Sequence, residues 1–236
     1  MREIGGPVGD AANGAVGKTA GNGNGGSESG GDGFRDLRER EREVRRQRIM
    51  DAAERVFADK TFDRVNMREI AAAAGVSPAT IYTYFPDQET LFIETALRGA
   101  ERLRDRFDAA SRAGNPSPAE TARLYIDYIM DHYECLRMSQ HCLLYGRFRS
   151  SESLERIGET YRGLFERIDR VLAARAGDEE VRHRTHLFFA ALNGILFTFG
   201  RYPGRNREEA LAHMRRLGKM LGALMEGKGE APPNSA

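Results

Sequence analysis

The sequence predicts an all-α protein of about nine helices. Three observations predict it. Apolar residues recur at three- and four-residue spacing, helix start and stop signals succeed one another along the chain, and no segment reads as a strand. The first helix shows the spacing plainly. Ile49, Ala52, Ala53, Val56 and Phe57 fall on one face, and Lys60-Thr61-Phe62-Asp63 breaks the pattern.

The next two helices are announced by their caps. Asn66 caps one, and Glu69 stands where a capping box would return its carboxylate to the Asn66 amide. A run of alanines keeps that helix thin until Gly75 ends it. Ser77 caps the following helix, Pro78 occupies its first turn, and Pro86 closes it. Asp87 caps a helix to about Arg112. Ser117-Pro118-Ala119-Glu120 is a capping box opening a helix to about Arg137, and a shorter segment follows near Ser139 to Phe148. Further helices are expected from about Ser153 to Ala176, from Asp178 to about Arg201, and from Asn206 to about Met225.

Composition bounds the rest. The chain has 236 residues, a formal net charge of +1, 30% charged and 40% apolar residues, as ordinary globular proteins have. Two cysteines, Cys135 and Cys142, exclude a disulfide framework. The N-terminus carries no signal pattern, and Leu187 to Gly200 is too short for a membrane span, so a cytoplasmic protein without a membrane partner is expected. Residues 1–33 hold twelve glycines and read as a flexible tail. From Arg35 to Arg48, seven arginines face four acids. That segment is either a solvated helix or an arm lying against phosphates.

Two short helices joined at a glycine, the second opened by Ser-Pro, have the form of a helix-turn-helix. Its second helix is polar where an isolated hairpin would be greasy. Thr80, Thr83 and Tyr84 suit base edges and phosphates, and Tyr82 joins a packing ring to a phosphate-binding hydroxyl. Ile81 and Phe85 form the inward stripe.

The run from Arg48 to Phe92 resembles the N-terminal domain of the TetR family of transcriptional regulators. The resemblance rests on Phe57-Ala58, Phe62, Met67-Arg68-Glu69-Ile70-Ala71, Ala74-Gly75-Val76-Ser77, Thr80 to Phe85 and Glu89-Thr90-Leu91. It implies that Arg68, Ser77 and Thr80 reach a base or a phosphate, that Tyr82 holds a phosphate, and that Thr83 and Tyr84 read bases. Ala79 is left for a thymine methyl. The chain departs from the family at Gln88, where a phosphate-binding lysine is usual, and at Thr61, where glycine is usual. Gln88 is expected to keep a hydrogen bond there without the charge.

The chain is expected to divide into four parts: the tail over 1–33, a DNA-binding domain over 34–86, a domain over 87–226 to which the resemblance assigns ligand binding and dimerisation, and a tail over 227–236. The resemblance implies double-stranded DNA with an inverted-repeat operator as partner, a homodimer, and a repressor released by a small molecule. Tyr125, Tyr128, Tyr133, Met138, Cys142, Tyr145 and Phe148 are the candidates for contact with a hydrophobic or aromatic effector. Phe188, Leu192, Ile195, Phe199, Met214, Leu217 and Leu221, on the last two helices, are the candidates for the dimer. His132, Cys135, His141 and Cys142 cluster, and His183 and His186 lie three apart, but neither group has a four-ligand zinc spacing. No catalytic motif is present, so neither enzyme activity, metal nor cofactor is expected. Two rivals stay open: a redox or metal sensor using Cys135 and Cys142, and a regulator without a small-molecule ligand.

Overall fold

A computed structural model describes residues 29–60, 62–145, 151–173 and 178–226. Among the described residues it has nine α-helices, one 3-10 turn and no strand. The helices are α1 (Ser29–Asp59), α2 (Met67–Ala74), α3 (Pro78–Tyr84), α4 (Gln88–Ala113), α5 (Pro118–Asp131), α6 (Tyr133–Tyr145), α7 (Ser151–Leu172), α8 (Asp178–Phe199) and α9 (Arg207–Met225). The 3-10 turn covers Phe62–Arg64. The chain divides into two compact units, Met1–Glu43 and Val44–Ala236. In the first, the described residues belong to α1, and the side chains from Phe34 to Glu43 are exposed. α1 begins at Ser29, inside the segment expected to be a tail. Extending an existing helix needs no new nucleus, so the glycines here weaken it without forbidding it.

Caps explain where the helices of the second unit begin. The Asn66 side chain accepts from the Glu69 amide, Ser77 from Thr80, Asp87 from Thr90, Ser117 from Glu120 and Asn206 from Glu209. The boxes at Ser117–Glu120 and Asn206–Glu209 are reciprocal. At Asn66 only half the box forms, because the Glu69 carboxylate pairs with Lys60 Nζ at 2.5 Å. Gly75 ends α2 at φ 69°, a left-handed conformation that a side chain would oppose.

α5 stops at Asp131, six residues earlier than its periodicity predicts. His132 leaves the helical region at φ −129°, ψ 56°. The break redirects α6, so that Met138 and Cys142 join Ile49, Phe57, Ile70, Ile81, Phe85 and Leu91 in one buried cluster. His141 lies 4.9 Å from the Phe62 ring and 5.2 Å from Phe92. A second cluster joins Leu103, Phe107, Ile126, Leu136, Leu164, Ile168, Phe188, Leu192 and Met214. Gly218 and Gly222 let α9 lie directly on α5; a Cβ at Gly222 would stand 2.4 Å from Ala119 backbone atoms.

α4 is common to both clusters. Leu91 and Phe92 near its start belong to the first, Leu103 and Phe107 to the second. Ion pairs fasten it to α1: Arg98 meets Asp51 at 2.9 Å and Glu54 at 2.7 Å, and Arg102 meets Glu54 at 3.1 Å.

Candidate functional site

The helix-turn-helix is built from α2 and α3. Ile81 and Phe85 are buried and dock α3 on its own domain, while Ser77, Ala79, Tyr82 and Thr83 are exposed along its outer side. Tyr82 is 52% exposed, far more than a tyrosine kept for packing. Arg68 stands exposed on α2. Ser77 Oγ accepts from the Thr80 amide at 3.0 Å and lies 2.8 Å from Thr80 Oγ1, which fixes both hydroxyls at the start of α3. Thr83 Oγ1 donates to the Ala79 carbonyl at 3.3 Å.

Two side chains stand differently from what the sequence predicts. Tyr84 is half-buried against the core of its domain, so less of it faces outward than of Tyr82 or Thr83. Gln88 Nε2 donates to the Phe62 carbonyl at 2.8 Å. That amide ties the start of α4 to the turn after α1. Thr61 and Phe148 lie outside the described residues, as does the Tyr145 side chain.

A cavity of about 300 Å³ opens among α4, α5, α6, α7 and α8. Tyr125, Tyr128 and Cys142 line it, as expected from the sequence; Met138 and Tyr133 do not. Met138 is buried in the cluster behind the helix-turn-helix, and Tyr133 lines a second cavity near the α8–α9 turn. Leu103, Tyr161, Phe189 and Asn193 also face the first cavity. Asn193 was visible in the sequence as the amide interrupting a greasy helix. Its Oδ1 accepts from the Tyr125 hydroxyl at 3.1 Å, and its Nδ2 donates to the Phe189 carbonyl at 2.9 Å. The Tyr128 hydroxyl donates to the Gly99 carbonyl at 2.7 Å. Among the described residues, no Lys, Arg, Asp, Glu or His lines this cavity. Burial raises the pKa values of Tyr125, Tyr128 and Tyr161, so their phenols stay protonated and can orient a ligand as neutral donors.

Burial also pushes the thiols of Cys135 and Cys142 up to about 12. A protonated, buried thiol is a poor nucleophile and a poor metal ligand. Both sit on α6, seven residues apart, which is about 10 Å of helix rise and beyond the reach of a disulfide. The described residues hold no group of three or more His, Cys, Asp or Glu placed to share a metal ion.

Three of the residues expected at the dimer are spent inside the chain. Phe188, Leu192 and Met214 are fully buried in the second cluster, and Ile195, Phe199 and Leu221 are partly buried against it. Leu217 is also partly buried. A helix that is apolar on nearly all sides satisfies its own chain's core first. The outward face is offset: Leu187 and Phe197 on α8 and Met220 and Leu224 on α9 are each more than 60% exposed.

Glu94, which sequence reasoning did not single out, links three helices. Its carboxylate accepts from Arg46 of α1 at 2.8 Å and from Arg156 of α7 at 3.0 Å. Burial raises its pKa, but the two guanidiniums outweigh this and hold the carboxyl below its ordinary value.

Comparison with known proteins agrees with this architecture. The sequence model for bacterial regulatory proteins of the tetR family matches residues 49–95. The HTH-type transcriptional regulator BetI of Rhizobium meliloti (strain 1021) is 34% identical over 115 residues, 48% of this chain and 57% of that protein. The HTH-type transcriptional repressor Rv1474c of Mycobacterium tuberculosis (strain ATCC 25618 / H37Rv) is 36% identical over 71 residues, 30% of this chain and 36% of that protein. The chain thus spans about half the length of the first relative and about a third of the second. The transcriptional regulator FadR from Bacillus subtilis, solved in complex with stearoyl-CoA, shares the fold with a TM-score of 0.61. That likeness covers 78% of this chain and 99% of that one at 19% identity. No helix among the described residues is long and apolar enough to cross a membrane. With its helix-turn-helix, its nine helices among the described residues and these relatives, the chain carries over residues 49–95 the DNA-binding domain of the tetR family of bacterial regulatory proteins, on a fold that solved regulators share.

Proposed function

We propose that this protein is a cytoplasmic, homodimeric transcription repressor, released from an inverted-repeat operator by a neutral, hydrophobic or aromatic small molecule. The observation that carries the reading is the division of α3: Ile81 and Phe85 buried, Tyr82 and Thr83 exposed. Such a helix presents hydrogen-bonding groups to a groove and anchors them on a packed domain. Arg68, Ser77, Thr80 and Tyr82 position the backbone, while Thr83 and Ala79 read bases. The outward residues Leu187, Phe197, Met220 and Leu224 pair with their copies across a two-fold axis. The DNA-binding domain covers 34–86 and the effector domain 87–226, with α4 crossing between them.

The effector occupies the cavity of about 300 Å³. An uncharged lining selects an uncharged ligand, because an ion there would lose its hydration without a partner. Tyr125, Tyr128, Tyr161 and Asn193 orient it. The FadR neighbour, solved with stearoyl-CoA, supports a partly apolar effector in this fold. Ala96, Leu97, Ala100 and Leu103 give α4 one wall of the cavity, so occupancy bears on the helix whose first turns hold the DNA-binding core. Arg156–Glu94–Arg46 ties the same helix to α7 and to α1.

Selection of bound sequences from a random duplex pool by the purified full chain tests this function. An inverted repeat with half-sites about one helical turn apart is expected. Absence of enrichment from folded, dimeric, ligand-stripped protein overturns it. Deleting residues 1–44 then tests the arginine-rich arm; a shallower salt dependence is expected, and an unchanged slope removes the arm from the interface.

A further inference from the structure

The second cavity, of about 340 Å³, differs in chemistry from the first. It lies where the end of α5 and the start of α6 meet the α8–α9 turn. Arg201, Arg205 and Arg207 line it with Tyr133, Tyr202 and Asn206, and among the described residues no acidic side chain does. We propose that this cavity binds phosphate groups, through the guanidiniums of Arg201 and Arg205.

The two cations are held in place by aromatic rings. Arg201 lies 4.8 Å from the Tyr133 ring centre, and Arg205 lies 5.5 Å from that of Tyr202. Stacking fixes the plane of a guanidinium and leaves its N–H edge free to donate in a fork, which is the geometry phosphate accepts. Among the described residues, neither Arg201 nor Arg205 makes an ion pair or a side-chain hydrogen bond. Arg207 is different: it donates to the Met130 carbonyl at 2.7 Å and to Asp131 at 2.9 Å. It braces the wall and its charge is already balanced. Glu209 is turned to the Asn206 amide, so the start of α9 is occupied by its own capping carboxylate and contributes nothing to the site.

The backbone is shaped to bring these groups together. A Cβ at Gly200 would stand 3.1 Å from the Tyr133 ring and 2.5 Å from the Leu196 carbonyl oxygen. Glycine there lets the end of α8 close on Tyr133, the shelf on which Arg201 rests. Gly204, at φ 81°, then reverses the chain and returns Arg205 to the same cavity. Two cations without an acidic partner among the described residues, in one concave site, fit a phosphate or pyrophosphate group better than a carboxylate.

The test is titration of the full chain with inorganic pyrophosphate at constant ionic strength, by calorimetry. Saturable binding at one site per chain is expected, and R201A/R205A should weaken it at least tenfold. R201K/R205K, which keeps the charge and loses the planar fork, should fall between them. Both side chains are exposed, so the variants should melt as the wild type does. If a variant fails to fold, the amide resonances of Gly200 and Gly204 in the wild type serve instead; they should shift with pyrophosphate. No saturable binding, binding unchanged in R201A/R205A, or resonance shifts confined to other regions overturns the proposal. Duplex DNA separates the two sources of phosphate. If R201A/R205A also flattens the salt dependence of duplex binding, the site takes backbone phosphates. If duplex binding is untouched while pyrophosphate binding is lost, it takes a free phosphorylated molecule.

Discussion

The two buried clusters of the second unit are packed to different ends. Behind the helix-turn-helix, Ile49, Ala71, Ile70 and Ile81 are wholly enclosed, and small alanines bring α2 close to its neighbours. The cluster beyond α4 encloses Phe188, Leu192 and Met214 as fully, yet its members Leu103, Tyr125, Leu136 and Leu164 line about 300 Å³ of open space. A filled core holds its helices in one arrangement. A core with space in it gives up contact energy and gains a place for a molecule that can come and go. The contrast places rigidity where side chains must be presented in register, and adaptability where a ligand must enter.

Substitutions in the two clusters should therefore differ. The largest effect is expected from Ile81→Ala, which leaves a hole where packing is complete. It should cost about 2–5 kcal/mol in chemical denaturation and abolish DNA binding. Small-to-large changes sharpen the comparison. Ala71→Leu, in the filled cluster, should destabilise by about 1–3 kcal/mol. Ala100→Leu, pointing to the cavity, should cost less than that and should block the effector. Equal costs for these two would mean that the cavity is not open space.

The smaller effects concern the surface and the joint between the clusters. Tyr82→Phe keeps the ring and removes one phosphate hydrogen bond. About tenfold weaker binding is expected on every duplex, with melting unchanged, whereas Thr83→Ala should alter sequence preference. Wild-type affinity in Tyr82→Phe would remove that hydroxyl from the interface. Glu94 supplies the pH dependence. Its carboxyl titrates below its ordinary value in the folded chain, so its contribution is complete above the ordinary carboxylate pKa of about 4.3 and is lost as pH falls through the folded value. The acid limb of a melting-temperature profile should be less steep in Glu94→Gln, and an identical limb would show that the Arg46–Glu94–Arg156 link adds no stability.

The same contrast decides what could be read from the sequence. The helix-turn-helix lies within twenty residues, and its caps at Asn66, Ser77 and Asp87 act over three residues each, so local chemistry was enough to place α2, α3 and the start of α4. The cavity needs five helices, and nothing local announces which tyrosine faces it. Tyr125 and Tyr133 look alike in the sequence, but the break at His132 sends them to different cavities. The break also carried Met138 into the DNA-binding core. The bond made by Gln88 was illegible for a related reason: its partner, the Phe62 carbonyl, is twenty-six residues away. Phe188 and Leu192 lie on a helix that is apolar on nearly all sides, and the sequence does not say which of its faces the chain's own core consumes.

The measurement that tests the coupling of the two clusters most directly is the affinity of one effector for the free and the operator-bound protein. The effector is the neutral aromatic or aliphatic compound that most raises the melting temperature in a screened panel. Linkage requires that a ligand which releases DNA bind the free protein more tightly, by the same factor by which it weakens the operator complex. A ratio of about 5–150 is the result expected from typical coupling energies. Equal affinity for both forms would contradict the account, because a ligand indifferent to the two states shifts neither.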